Sequence, residues 1–168
     1  MPVSDDAFLE VIRESLKAIT APRFFQTERG YQGELLAELR KRVPEIRGLQ
    51  EDVVVEQEHQ KRLVAHGLRI RPDVIIHVPF DQRHHPNRKY GNYVSFELKL
   101  RATPAGARSN YESLTQLMNA LDYPLGIFIN IGSTDTHITQ AAKPASGRIV
   151  GFGVVLRQGR VEVNEQAI

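Results

Sequence analysis

Two stretches of the sequence carry ionisable side chains inside segments that otherwise favour β-strands. IRPDVIIHVP, at residues 70–79, contains Asp73, and YVSFELKL, at residues 93–100, contains Glu97 and Lys99. Because successive side chains of a strand point to opposite faces, Glu97 and Lys99 share one face, and the other face carries Val94, Phe96, Leu98 and Leu100. If the two strands pair as a hairpin, Asp73 and Glu97 converge on one site with Lys99 beside them.

This group of side chains predicts a particular chemistry. Two carboxylates held close together repel each other unless a proton or a cation lies between them. Asp73 and Glu97, with the backbone carbonyl of Leu98, are therefore predicted to bind Mg²⁺ or Mn²⁺, which prefer oxygen ligands. Such an ion acidifies a bound water and offsets charge on a phosphate, and Lys99 would position or deprotonate that water or stabilise the phosphorus. Asp73, Glu97 and Lys99 together therefore predict metal-assisted hydrolysis of a phosphodiester.

Two other interpretations compete for these residues and their neighbours. The solvated outer face of a half-exposed sheet also alternates charged with apolar residues. A zinc site is an alternative use of the histidines His77, His84 and His85. Two of those histidines lie in DQRHHPNRKYGN, however, whose turn-forming residues are typical of a polar hairpin tip.

The composition limits the class of protein. A chain of 168 residues with 41% hydrophobic content is long enough for one domain, and we expect a single domain across residues 1–168. Cysteine is absent, which excludes disulfides and cysteine-ligated zinc or iron–sulfur clusters. The stretch MPVSDDAFLE lacks the features of a signal peptide, and no window reaches the ~18 apolar residues of a membrane span, so we expect a cytoplasmic protein without membrane partners. The net charge of +2 permits nucleic-acid binding without requiring it.

The apolar periodicity changes along the chain and predicts the fold class. Helical spacing predicts helices over residues 4–20, 28–43 and 109–123, the last capped by Ser109. Segments rich in β-branched and aromatic residues predict strands within residues 51–59, 68–79, 92–102, 124–132 and 147–165, the last forming two strands that turn at Gln158-Gly159. The order ααβββαβββ predicts an α/β fold with a mixed sheet and helices packed on it.

The motifs also resemble a known family. Pro72-Asp73 followed by Glu97-Leu98-Lys99 resembles the signature of the PD-(D/E)XK nuclease superfamily, which includes restriction endonucleases, junction resolvases and repair nucleases. The run TQLMNALDYPLGIFINIG is similar to the matching segment of small members described as GxxExxY proteins, although their name-giving motif is absent. The resemblance covers the pattern of residues 28–132 and implies a restriction-endonuclease-like sheet flanked by helices.

The resemblance implies further site residues and partners. Family members commonly place a glutamate on a helix before the sheet, where YQGELLAELR supplies Glu34 as a catalytic metal ligand, with Glu38 and Glu28 less favoured. Many carry a glutamine on the helix after the lysine strand, which Gln116 matches. The resemblance implies DNA as the substrate and a homodimer whose two sites address two strands. Since no separate recognition domain is evident, a protein partner that supplies specificity is also expected.

Basic residues supply candidate contacts to the phosphates of nucleic acid. Arg69, Arg71 and Arg101 are expected on the side of the acids, and Arg88 and Lys89 lie in the turn-rich loop, whose alternative role is a solubilising hairpin end. Two other functions are compatible with the sequence. One is a non-catalytic binding or assembly module that keeps the nuclease fold, and the other is a hydrolase or sensor for a small phosphorylated ligand.

Overall fold

The computed structural model describes residues 3–57 and 70–168. Within these ranges the helices are α1 (Asp5–Ala18), α2 (Glu28–Arg42) and α3 (Pro104–Leu121). The strands are β1 (Val54–Gln57), β2 (Val74–His77), β3 (Asn92–Leu100), β4 (Leu125–Ile131), β5 (Arg148–Arg157) and β6 (Arg160–Ala167). The order of these elements is the predicted ααβββαβββ. No helix in the described ranges is long and apolar enough to cross a membrane.

The six strands form one mixed sheet in the order β1-β2-β3-β4-β5-β6. β1, β2 and β3 pair in antiparallel fashion, β3, β4 and β5 are parallel, and β6 returns antiparallel to β5. A parallel pair needs a crossover connection, and α3 provides it between β3 and β4. The protein therefore has an α/β fold with helices flanking a mixed sheet, as the order of elements predicts, and this is consistent with the restriction-endonuclease-like arrangement that the resemblance implies.

The helices cover the two faces of the sheet with separate apolar clusters. α1 and α2 pack on the face that carries Val74, Phe96 and Leu98. α3 packs on the opposite face, which carries Ile75 and Phe128. Because side chains alternate along β3, the residues on either side of Phe96 point toward the face covered by α3. The charged face of β3 is thus partly enclosed by a helix.

Two element boundaries differ from the predicted ones, and one predicted turn is found where it was expected. α3 begins at Pro104 rather than after Ser109, because Thr103 caps it by accepting from the Gly106 N–H and proline is well suited to the first helical turn. β2 is only four residues long, and just before it the Leu98 N–H of β3 donates to the Asp73 carboxylate instead of to a backbone carbonyl. The predicted turn at Gln158-Gly159 joins β5 to β6, and both residues have positive φ, as a two-residue hairpin turn requires.

One close packing contact in β5 gives a test of the fold. A Cβ at Gly153 would lie 2.4 Å from the backbone carbon of Thr134, so Gly153→Ala is expected to lower the free energy of unfolding by about 1–3 kcal/mol. Gly33 of α2 is the matched control, because nothing lies within 4 Å of a Cβ there. Gly33→Ala is expected to raise the free energy of unfolding by about 0.5–1 kcal/mol. Urea denaturation measures both, and equal effects would contradict this packing.

Candidate active site

The register of the hairpin brings Asp73 across from Glu97. Val74 pairs with Phe96, so the residue before Val74 lies opposite the residue after Phe96. The Asp73 N–H donates to the Phe96 carbonyl at 3.1 Å, which extends the pairing beyond β2. The Asp73 Oδ2 accepts from the Leu98 N–H at 2.7 Å, so its carboxylate is fixed against β3. The structure thus brings the two acids together as the hairpin model requires.

Glu97 is a buried carboxylate with two other carboxylates near it. Only 8% of its surface is exposed. Burial raises the pKa of Glu97 well above its usual value, the charges of Asp73 and Glu28 raise it further, and the Lys99 ammonium lowers it. The solvated-face interpretation therefore does not describe Glu97, nor Ser95, which is fully buried on the same side of β3. Lys99 itself is exposed at the surface.

The helical glutamate that contacts this group is Glu28, one of the less favoured candidates, whereas a role for Glu34 as a metal ligand stays a prediction. The Glu28 Oε2 accepts from the Leu100 N–H at 3.2 Å and lies 3.8 Å from the Lys99 Nζ. Gln32, one turn further along α2, donates from Nε2 to the Asp73 carbonyl at 3.0 Å. Glu34 follows Gln32 by two positions, which is about 200° around the helix, so the face that meets the acids does not carry it.

The other helical glutamate is occupied elsewhere. Glu38 pairs with Lys41 and Arg42, and hydrogen bonds from these two residues lower the pKa of its carboxyl. Its contacts are thus with its own helix. Sequence reasoning missed Gln32, although its spacing of four from Glu28 is a usable signal for a shared helix face.

The structure does not bring Gln116 to the acids, and its role in the site stays a prediction. α3 turns another set of residues toward the sheet, namely Ala107, Tyr111, Leu114, Leu117, Met118 and Leu121. Gln116 is exposed and lines a groove on the outer side of α3 with Arg108 and Gln140. It also lies twelve residues, or about 18 Å, beyond the start of α3 that follows β3. The structure therefore favours the alternative that Gln116 belongs to the wet face of its helix.

The predicted phosphate contacts divide between two ends of the hairpin. Arg71 and Arg101 are exposed and flank the acids in the chain, whereas Arg69 lies outside the described residues. Arg88 and Lys89 lie in the loop that leads into the first residue of β3. Seven residues separate that end of β3 from Lys99, a distance of about 23 Å along an extended strand. Arg88 and Lys89 are therefore remote from the acids.

Arg88 and Lys89 have contacts with other residues of the protein. The Arg88 guanidinium carbon lies 4.7 Å from the centre of the Phe80 ring. The Lys89 Nζ lies 3.3 Å from an Asp122 carboxylate oxygen. These contacts hold the loop against the body of the protein, and they favour the structural interpretation of the loop over a role at the acids.

His77, His84 and His85, the histidines considered for a zinc site, each have a different partner. His77 is buried and pairs with Glu56 at 2.7 Å, His84 pairs with Asp81, and the His85 ring stacks on Tyr90. Across residues 3–57 and 70–168, no group of three or more His, Cys, Asp or Glu side chains is placed to hold a metal ion. The zinc interpretation thus gains no support from the described residues.

The donor chemistry at Asp73 and Glu97 nevertheless fits a hard divalent cation. The buried Glu97 carboxylate has two carboxylates near it and one exposed ammonium, so negative charge is in excess. A divalent cation would offset that excess, and Mg²⁺ commonly uses one or two protein carboxylates and keeps several waters. The Leu98 N–H is engaged with Asp73, while a metal contact from the Leu98 carbonyl stays a prediction.

Comparison with known proteins adds little to this geometry. No family model matches the sequence, and no curated protein matches it. The chain is similar to a solved structure of Pyrococcus furiosus SfsA in complex with Ca²⁺, with 12% sequence identity and a TM-score of 0.42. The match covers 80% of this chain and 62% of that one, so the chain spans less than two thirds of that structure's length. Nothing about the activity of this chain follows from so distant a match.

Proposed function

We propose that the protein is a metal-dependent nuclease that hydrolyses phosphodiester bonds of DNA. The observation that carries the proposal is the buried Glu97 carboxylate, which lies opposite Asp73 with Lys99 beside it. A buried acid with an acid across from it is costly to keep ionised, and such a cost is typical of functional sites. The exposed arginines that flank the acids suit the phosphates of nucleic acid.

Asp73 and Glu97 would hold Mg²⁺ or Mn²⁺, with water and the Leu98 carbonyl as further oxygen ligands. When bound, the ion would acidify a water and offset negative charge on the phosphate under attack. The Leu98 N–H holds the Asp73 carboxylate, and Gln32 holds the Asp73 backbone carbonyl, so the carboxylate cannot swing away from β3. These two bonds keep the first acid in place for a ligand.

Lys99 would act on the attacking water or on the phosphate oxygens. Its ammonium lies 3.8 Å from the Glu28 carboxylate, and this contact limits where the side chain points. Glu28 also accepts from the Leu100 N–H, so one carboxylate ties the end of β3 to the start of α2. In this proposal Glu28 is a positioning residue that orients Lys99.

A non-catalytic binding module is the second candidate function. It is favoured by the exposed Arg101 next to the acids, because a phosphate contact binds nucleic acid without requiring cleavage. A homodimer, and a protein partner that supplies specificity, are compatible with either function. Light scattering of the purified protein tests the dimer.

Cleavage of supercoiled, linear, branched and single-stranded DNA with Mg²⁺ or Mn²⁺ tests the proposal. We expect wild-type protein to cut at least one form, and EDTA to stop the reaction. Binding of DNA or metal without cleavage of any form would favour the binding module instead. Inhibition of cleavage by free nucleotides would point to a small phosphorylated ligand as the natural one.

Removal of the Lys99 ammonium is expected to slow cleavage by about 10²-fold or more, because general acid–base and charge-stabilising groups contribute on that scale. Lys99→Met keeps the length of the side chain, so metal binding is expected to persist. Lys41→Met is the matched control, since Lys41 is also an exposed lysine paired with a glutamate of α2. Single-turnover cleavage measures both variants, and equal rates for the two would contradict the role of Lys99.

A further inference from the structure

The chain adopts an unusual backbone conformation immediately after Lys99 and Leu100. Arg101 has φ of +46°, in the left-handed region that favours glycine and asparagine. A residue with a long side chain is disfavoured there, so the conformation persists only when surrounding contacts impose it. Glycine or asparagine at this position would let the chain leave β3 at lower cost. The backbone conformation alone does not explain an arginine at this position, so the explanation lies in its side chain.

The surrounding contacts do impose the conformation. The Arg101 N–H donates to the Ile131 carbonyl at 2.8 Å. The next N–H, of Ala102, donates to the Oδ1 of Asn130 at 2.8 Å, and the Ala102 carbonyl bonds the His137 ring at 3.0 Å. Asn130 is fully buried and also donates to the Asp135 carbonyl, so β4 and the loop after it hold the turn rigidly.

The side chain of Arg101 is left available by this turn. It is exposed and runs beside Gly132, where a Cβ would lie 3.4 Å from the Arg101 Cγ. No side chain in the described part of the chain pairs with its guanidinium. Arg101 is two residues from Lys99 and next to Leu100, whose N–H the Glu28 carboxylate holds. A fixed backbone thus presents an unpaired guanidinium, whose Nε lies 3.5 Å from the place of a Gly132 Cβ, two residues along the chain from Lys99.

We propose that Arg101 binds a backbone phosphate of duplex DNA next to the bond that is cut, and that its left-handed conformation presents the guanidinium there. The proposal rests on the proposed nuclease function and adds a binding residue to the same site. A planar guanidinium with several donors matches a phosphate, and the rigid turn lowers the entropy lost on binding. The contact is independent of base sequence, since phosphate contacts position the duplex without reading it.

Arg101→Asn separates a binding role from a structural one. Asparagine tolerates the left-handed region, so the variant is expected to melt at the wild-type temperature or about 2–4 °C higher. Its affinity for a duplex oligonucleotide, measured without divalent metal, is expected to fall about tenfold at low salt. The slope of log K against log salt is expected to become shallower by about 0.9, as loss of one phosphate contact predicts.

Two controls match the two changes that this variant makes. Gln158→Asn replaces another left-handed residue that carries no charge, with φ of +52° in the turn between β5 and β6. Arg47→Asn removes the same charge from another exposed residue. Arg47 lies near the opposite end of β3, since its neighbour Gly48 lines a groove together with Asn92. Both controls are expected to keep the wild-type affinity and the wild-type salt slope.

The outcomes distinguish failure of this inference from failure of the nuclease proposal. If Arg101→Asn binds DNA with the wild-type affinity and slope while wild-type protein cuts DNA with metal, Arg101 is not a phosphate contact and the nuclease proposal stands. A marked drop in melting temperature for Arg101→Asn would assign the residue a structural role and overturn the inference. If wild-type protein neither binds nor cuts DNA, both proposals fail together.

Discussion

Asp73→Asn and Glu97→Gln are expected to lose DNA cleavage by at least ~10³-fold, because stabilisation of a phosphate by a bound metal contributes several kcal/mol to the barrier. Each change removes one negative charge and keeps the shape of the side chain. The Asp73→Asn variant retains an oxygen that accepts from the Leu98 N–H, so its fold is expected to persist. Single-turnover cleavage of the DNA form that wild-type protein cuts measures the loss.

Two further glutamates of α2 show whether the loss is specific. Glu34→Gln is the control, because Glu34 is on a helix face that does not meet the acids, and wild-type cleavage is expected. The cleavage rate of Glu28→Gln is expected to lie between those of the control and of the Asp73 and Glu97 variants. This change weakens the orientation of Lys99 without removing a proposed metal ligand. Retention of cleavage by Glu97→Gln, or its loss in Glu34→Gln, would contradict the assignment.

Glu97→Gln is also expected to stabilise the metal-free protein, by an amount that grows with pH. The pKa of Glu97 is raised in the folded state above its usual 4.5, so the folded protein holds this proton more tightly than the unfolded chain. Its contribution to stability is complete below pH 4.5 and is lost as the pH rises through the folded-state pKa. The loss follows a slope of up to ~1.4 kcal/mol per pH unit in that window.

Urea denaturation in EDTA from pH 4.5 to pH 8 measures the difference between wild type and Glu97→Gln. Acids whose pKa is lowered, such as Glu38 and Glu165, titrate alike in both proteins, so they cancel in the comparison. Mg²⁺ is expected to stabilise wild type at high pH and to leave the variant unchanged, because it binds the ionised carboxylate. A difference that stays constant with pH would show that Glu97 does not titrate in this window.

The strand pattern made the acid pair predictable. Alternation along β3 separates Glu97 from Phe96, and continuous pairing with β2 then sets Asp73 across from it. Both depend only on the period of two residues that every strand has. The order of elements was predictable for a similar reason, since the apolar period changes from helical to extended and back along the chain.

The helix contributions were not predictable in the same way. Glu28, Glu34 and Glu38 lie on one helix, and which of them reaches the acids depends on how α2 rotates against β3. That rotation is set by packing of buried residues such as Leu35 on the sheet, which no local pattern encodes. The place of Gln116 was hidden as well, because α3 starts at Pro104 and carries a residue near its far end away from the acids.

The conformation of Arg101 was hidden for another reason. No glycine or asparagine marks a left-handed turn after β3, because the turn is imposed by buried Asn130 and by His137 from the next strand and loop. Contacts between residues about thirty positions apart leave no trace in local sequence. The turn is therefore visible only in the folded structure.

The proposed function depends on a divalent metal ion held by Asp73 and Glu97. Isothermal titration calorimetry of Mn²⁺ into wild type, Glu97→Gln and Glu34→Gln at pH 8 measures that binding. We expect saturable binding to wild type and to Glu34→Gln, and loss of binding in Glu97→Gln. Equal binding by wild type and Glu97→Gln, or no binding by wild type, would contradict the proposal.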